Sequence, residues 1–236
     1  MMFVKLFNYR KKISRAKRIA RHKRAIPPYL LKEFETELNY KLWSTKGARF
    51  TASHRTDTLQ KLSGQCVSYL SAYLIIVGLV NVYGLSFWGL KLSDPQVNFA
   101  TVSLSVMILL FSQLESAENF VLKSHRFHDC ALDIAELYNK LRYTKTYENE
   151  NPDKKEILQD LSNEYDKILK RYENHKPIDY QRFQLTKWQY FKLSPLERIW
   201  IRVRYYWEVY FKYHLLMYGP LITLLGLLIK NLITPV

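Results

Sequence analysis

His125, His128 and Cys130 stand close together in the chain, with Asp129 and Asp133 beside them. These are the residue types that ligate transition metals. Two histidines at i and i+3 share a helix face, but Cys130 then points elsewhere and no second ligand cluster completes a set. The group is therefore read as polar helix surface, with no metal and no cofactor expected. Other catalytic chemistry lacks its residues. The seven glycines lie scattered, so no loop cradles a phosphate. No G-x-S-x-G, H-E-x-x-H or paired-carboxylate pattern stands out. Cys66 and Cys130 are the two cysteines, which excludes a disulfide-stapled scaffold and a four-cysteine zinc site. Cys66 opens an apolar run, a setting that raises a thiol pKa and blunts its reactivity. The chain is read as not an enzyme.

The polar residues that matter more lie inside two long uncharged runs. The first extends from Gly64 to Leu90 with a core of 22 residues, Val67 to Trp88, and the second covers 20 residues, Pro95 to Leu114. About 20 residues suffice to cross a bilayer core as a helix. Ser71, Gly78 and Asn81 in the first run, and Thr101, Ser105 and Ser112 in the second, are small or polar. Such residues let helices approach and hydrogen-bond in lipid. If several hairpins assemble in a ring, the same residues could line a polar pore, with Glu115 and Glu118 at its cytoplasmic mouth. Asn81 is the costliest of them to bury and should face protein or water.

These runs shape the whole organisation. The chain has 236 residues and a net charge of +15. Its mean hydropathy of −0.24 resembles a soluble protein, but it averages charged blocks with uncharged ones. Only KLSDPQ, Lys91 to Gln96, separates the two runs, which predicts a helical hairpin with Pro95 in the first turn of its second helix. A third run, Tyr213 to Ile229, holds 17 residues, the short end of the spanning range, with Gly219-Pro220 expected to kink it. Just before it, Trp200, Tyr205, Tyr206, Trp207, Tyr210 and Phe211 mix with Arg202, Arg204 and Lys212 as at a membrane interface. No segment near Met1 is apolar enough for a signal peptide.

Basic residues set the orientation. Met1 to Cys66 carries 16 Lys/Arg against 4 Asp/Glu, and Glu115 to Lys212 carries 18 against 16. Positive residues stay on the cytoplasmic side, so both blocks are expected there, with the hairpin turn outside and the N-terminus inside. The densest stretch is Arg10, Lys11, Lys12, Arg15, Lys17, Arg18, Arg21, Lys23 and Arg24, nine of fifteen residues. It suits attraction to an anionic leaflet, contact with nucleic-acid phosphates, or a solvated topology signal. It lacks aromatics to stack on bases, and direct nucleic-acid binding stays open.

The predicted parts are a basic segment (1–28), pre-membrane helices (29–66), two spans (67–90 and 95–114), a cytoplasmic helical region (115–205) and a hydrophobic C-terminal helix (206–232). Phe120, Ser124, Phe127, Ala131, Ile134, Tyr138 and Leu141 form a heptad seam that predicts one helix from about Pro95 to about Tyr143. Leu158, Leu161, Tyr165, Ile168 and Tyr172 form a second, shorter seam after a break at Asn151-Pro152-Asp153. The two seams predict an antiparallel pair or packing between subunits. Ser194 and Glu197 make a capping box that starts the last helix. No strand-like alternation occurs.

Trp43, Lys46, Arg49, Phe50, Ala52 and Arg55, in WSTKGARFTASHR directly ahead of a two-span hairpin, resemble the motif of the SLATT domain. NHKPIDYQRF, Asn174 to Phe183, resembles the downstream part of the subfamily found beside reverse transcriptases. The resemblance covers about Tyr40 to Phe183. It implies a prokaryotic conflict-system effector that assembles in the membrane and opens pores when a sensor signals infection. A reverse transcriptase, with or without its RNA, is the implied partner. Helical geometry puts Phe50, His54, Asp57 and Lys61 on one face and turns Arg49 and Arg55 elsewhere. Those arginines are expected near the inner leaflet, holding lipid phosphates or pairing with Glu115 or Glu118.

The expectation is an all-α membrane protein: a two-helix transmembrane hairpin, a long cytoplasmic helical extension and a third hydrophobic helix at the C-terminus. Its expected role is that of a homo-oligomeric effector in the bacterial inner membrane, serving an antiphage, abortive-infection system through a pore. The alternative is a non-conducting anchor that holds a reverse transcriptase or nucleic acid at the membrane.

Overall fold

Buried residues recur along one stripe of the first helix: Leu38, Leu42, Ala48, Ala52, Leu59, Leu62, Cys66 and Leu70. That spacing follows the helical period, so the chain from Phe34 to Tyr83 gains by staying helical throughout. The computed structural model describes residues 33–83, 93–148 and 150–233. Every element among them is a helix, and none is a strand. The helices are α1 (Phe34–Tyr83), α2 (Asp94–Glu118), α3 (Phe120–Tyr147), α4 (Lys154–Arg171), α5 (Pro177–Thr186), the single turn α6 (Trp188–Phe191), α7 (Pro195–Val209) and α8 (Phe211–Ile233).

Local sequence fixes several boundaries. Glu35 and Glu37 occupy the first turn of α1, where carboxylates favour the helix dipole. Pro95 sits in the first turn of α2, and the Gln96 side chain accepts a hydrogen bond from the Ser93 N–H at 3.0 Å. Ser194 and Glu197 form the expected reciprocal box at α7: the Glu197 carboxylate accepts from the Ser194 N–H at 2.8 Å and the Ser194 hydroxyl accepts from the Glu197 N–H at 3.3 Å. α8 runs through Pro220 without ending.

One expectation is corrected. The helix from Pro95 to Tyr143 is not continuous, because Asn119 adopts φ 52° and ψ 48° between α2 and α3. Asparagine is among the few side chains that tolerate this left-handed conformation, and one such residue ends a helix. The break falls five residues beyond the end of the uncharged run at Leu114, after Glu115 and Glu118.

The chain forms two compact units, each with its own contacts. In the first, the start of α1 up to Thr45 joins Asp133–Ile168. Leu38, Leu42, Ile134, Leu137, Leu141, Leu161, Tyr165 and Ile168 are buried there. Thr45 and Tyr165 share a hydrogen bond of 2.8 Å, and Glu35 binds both Lys145 (3.3 Å) and Lys154 (2.8 Å). The Lys154 hydrogen bond, ahead of Lys145, holds the Glu35 carboxyl below its ordinary pKa.

The second unit combines Lys46–Leu132 with the chain from Leu169 onward. Its core joins Leu59, Leu62, Cys66 and Leu70 of α1 to Phe120, Ile178, Tyr205, Val209, Tyr213 and Met217. Each such apolar side chain contributes about 1.5–3 kcal/mol on full burial. Tyr73 from α1 and Leu104, Ile108 and Phe111 from α2 pack against that core, so the two uncharged helices share it. Their outer faces stay bare: Ile75, Ile76, Leu79 and Val82 on α1, and Phe99, Val102, Leu109 and Leu114 on α2, are exposed.

Both helices carry a stretch long and apolar enough to cross a membrane, with only 17% and 6% of those stretches buried by protein. The core helix of a soluble protein would be mostly covered; these are not.

The heptad seams are filled within the chain. Phe120, Phe127, Ala131, Ile134 and Leu141 are buried as the seam requires, but so are Cys130, Leu137 and Thr144. The buried stripe of α3 is thus wider than a two-stranded seam and already packed against other parts of its own chain.

Candidate functional site

The two sequence motifs, more than a hundred residues apart, meet in the second unit. Arg55 is 5% exposed and Asp179 fully buried. Arg55 donates from Nε to Asp179 Oδ1 at 2.7 Å and from Nη2 to Oδ2 at 3.1 Å, a two-pronged pairing. The same carboxylate accepts the backbone N–H of Lys176 at 2.9 Å, closing the first turn of α5. One acid therefore caps a helix and neutralises a buried cation.

Arg49 lies next along α1, 2% exposed. It donates from Nη1 to the Glu173 carbonyl oxygen and from Nη2 to Asn174 Oδ1 at 3.5 Å. Its guanidinium lies 5.8 Å from the centre of the Phe127 ring. Its Nε, and His175 Nδ1 nearby, are buried and find no partner among the described residues. Gly47 faces the ring of Phe183, so a Cβ there would fall inside the ring's contact radius. Glycine, two arginines and the Asn174–Phe183 segment thus form a clasp.

This corrects the placing of the arginines. Arg49 and Arg55 do not face a leaflet, and neither pairs with Glu115 or Glu118. The acid that pairs with Arg55 sits in the second motif instead. Phe50 packs edge-on against His128 at 5.5 Å, and Lys61 binds Asp57 at 2.8 Å on the more exposed side. Ala52 is fully buried, while Trp43 and Lys46 are half-buried, Trp43 beside Tyr40 at 6.1 Å. Among the described residues no group of three His, Cys, Asp or Glu could hold a metal.

His175 is expected to make the stability of the clasp depend on pH. Burial, then the Arg49 charge, lowers its pKa below 6.5, while Asp179 opposes them. The folded state therefore binds fewer protons than the unfolded state as pH falls through 6.5. Stability from this site is complete above that value and declines below it. Glu35, Glu118 and Glu197, with lowered pKa values, lose their contributions only below 4.5, outside that window. We expect the melting temperature of purified protein to fall between pH 7.5 and 5.5, and His175→Gln to flatten that dependence. An unchanged slope in the variant would remove His175 from the account.

The hairpin residues occupy two settings. Thr101 donates to the Val97 carbonyl at 2.9 Å and Ser105 to the Thr101 carbonyl at 2.8 Å, so both hydroxyls are satisfied on their own helix. Ser71 is half-buried, and a Cβ on Gly78 would meet nothing, so packing in a single chain does not demand that glycine. Ser112 lines a crevice of about 480 Å³ whose wall is part polar, with Gln60, Ser63 and Glu115, and part apolar, with Val67, Phe120 and Val121. Glu115 there accepts from Lys212 at 2.7 Å and from the Tyr213 hydroxyl at 2.6 Å, whereas Glu118 is exposed and binds Lys123 at 2.8 Å. Cys66, buried at this level, has its thiol pKa pushed up to about 11 by burial and then by Glu115. The Asn81 side chain and the basic run from Arg10 to Arg24 lie outside the described residues.

Residues 31–226 match the SMODS and SLOG-associating 2TM effector domain family 5, a span that includes both halves of the clasp and the hairpin. No curated protein and no solved structure matches the chain.

Proposed function

Because the chain belongs to the SMODS and SLOG-associating 2TM effector domain family 5, effectors of conflict systems, we propose that it is the membrane-disrupting component of a bacterial antiphage system acting by abortive infection. Several copies assemble in the inner membrane with the N-terminus and both charged blocks in the cytoplasm, a placement supported by the Lys and Arg content of those blocks against a nearly uncharged turn. Activation rearranges the hairpins into a ring, and Ser71, Thr101, Ser105 and Ser112 turn from lipid or crevice towards a shared polar path.

The observation that carries this reading is the hairpin surface. Its outer faces are apolar and uncovered in one chain, while small and hydroxyl-bearing residues repeat along both helices. That combination supports a membrane-embedded element able to pack against copies of itself. A reverse transcriptase is the proposed activator, supported by the resemblance of Asn174 to Phe183 to the subfamily that accompanies such enzymes.

The test is membrane potential in cells that express the chain with its activated partner. Depolarisation within the time of infection, abolished by Gly78→Leu at unchanged protein level, is the expected result. A polarised membrane in dying cells would remove the pore. Retention of the partner at that polarised membrane would turn the reading to a non-conducting anchor.

A further inference from the structure

We propose that α8 crosses the bilayer as a third span, packed along α1 with its remaining surface against lipid acyl chains. Its C-terminal end then lies on the opposite side of the membrane from Lys192. This goes beyond the two transmembrane helices of the family description, and it rests on the hairpin being embedded in lipid.

The direction of α8 follows from its contacts. At its start, Tyr213 touches Phe111 (6.1 Å between rings) and Glu115, both at the end of the second uncharged run. One turn later, the Tyr73 hydroxyl donates to the Met217 carbonyl, and Tyr218 meets Tyr69 at 6.1 Å. Tyr69 and Tyr73 lie just inside the first run, beyond Val67. As α8 advances it moves deeper along the hairpin, in the same direction as α1. Nothing turns it back, because the helix continues unbroken to Ile233.

Its length and surface fit a crossing. The 23 residues of α8 span roughly 34 Å at 1.5 Å per residue, against a hydrocarbon core of about 30 Å. No charge occurs between Lys212 and Lys230. Beyond Met217, Leu221, Ile222, Leu224 and Leu225 are all exposed. With Thr223 and Gly226, which are exposed too, they point around most of the helix circumference, so no single protein face can cover them. A helix apolar on all sides belongs in lipid or in a large protein core. Pro220 is tolerated there, as prolines are in spanning helices. The Glu115–Lys212 pair, with the Glu115 side chain 8% exposed, ties the helix to the hairpin at its point of entry.

Topology reporters test this in the full chain. Alkaline phosphatase, active only outside the cytoplasm, and green fluorescent protein, fluorescent only within it, are joined after Val236 or inserted after Lys192. The expected result is an active phosphatase and dark fluorescent protein at Val236, with the reverse at Lys192. Deleting residues 213–229 should abolish the phosphatase activity at Val236 and restore fluorescence. If both sites report the cytoplasm while the protein stays in the membrane fraction, α8 does not cross and the proposal fails alone. If both report the cytoplasm and the protein is soluble, the embedded hairpin fails with it. Opposite sides with the signs exchanged would keep the third span and overturn only the assigned orientation.

Discussion

Replacing Asp179 by Ala should cost about 3–5 kcal/mol of stability, because it strands the Arg55 guanidinium in the protein interior. Arg55 is 5% exposed, too little for water to replace the lost carboxylate. The same change removes the acceptor for the Lys176 N–H, a helix cap that adds about 1 kcal/mol. Against a usual total of about 5–15 kcal/mol, that loss is severe. We expect little folded Asp179→Ala protein in detergent, read as loss of a monodisperse peak and of a cooperative melt.

A paired change separates charge stranding from simple loss of contact. Arg55→Met with Asp179→Leu removes both charges and keeps apolar volume, so it should recover much of the single variant's deficit. A double variant no better than Asp179→Ala would show that the pair itself, with its cap on α5, is what holds the segment. An Asp179→Ala protein that melts like the parent would show that Arg55 finds water, and the clasp would lose its energetic basis.

The clasp shows where sequence reasoning reaches and where it stops. The hairpin was legible because absence of charge over about 20 residues has one main physical meaning. The α3 stripe was legible because its period is local, although its width was not: Cys130, Leu137 and Thr144 are buried by neighbours distant in sequence. The arginines were placed wrongly for a related reason. Near a membrane an arginine has a default partner in lipid phosphate, and Arg49 and Arg55 carry no local mark of burial.

The available signal lay in the second motif. Pro177 followed by Asp179 is a helix start with an acid in its first turn, and an acid held there has one lone pair for the cap and others for a cation. Periodicity alone does not say that this cation comes from 124 residues upstream. The break at Asn119 was equally invisible, since the heptad count passes through it and only backbone dihedrals reveal it.

The second large effect concerns the hairpin's solvent. Ile76 is 50% exposed near the middle of the first uncharged run, and Val106 is 50% exposed near the middle of the second. In a water-soluble bundle, arginine at either site is a surface change within about 0.5 kcal/mol, and it improves solubility by covering apolar area with charge. In a bilayer each arginine at mid-depth costs about 2.5–3.5 kcal/mol, close to two orders of magnitude in the insertion equilibrium. The two environments predict opposite signs for one substitution.

We expect Ile76→Arg and Val106→Arg each to cut the carbonate-resistant membrane fraction sharply, and together to abolish it. Ser112→Arg should insert far better, because Ser112 lines the crevice beside Glu115 at the end of the uncharged run, from which a long basic side chain reaches the headgroups. The contrast between these sites matters more than the loss itself, since any damaging change lowers yield. If instead Ile76→Arg and Val106→Arg accumulate as soluble, monodisperse protein, the exposed faces of α1 and α2 meet water, and the membrane effector reading loses its physical ground.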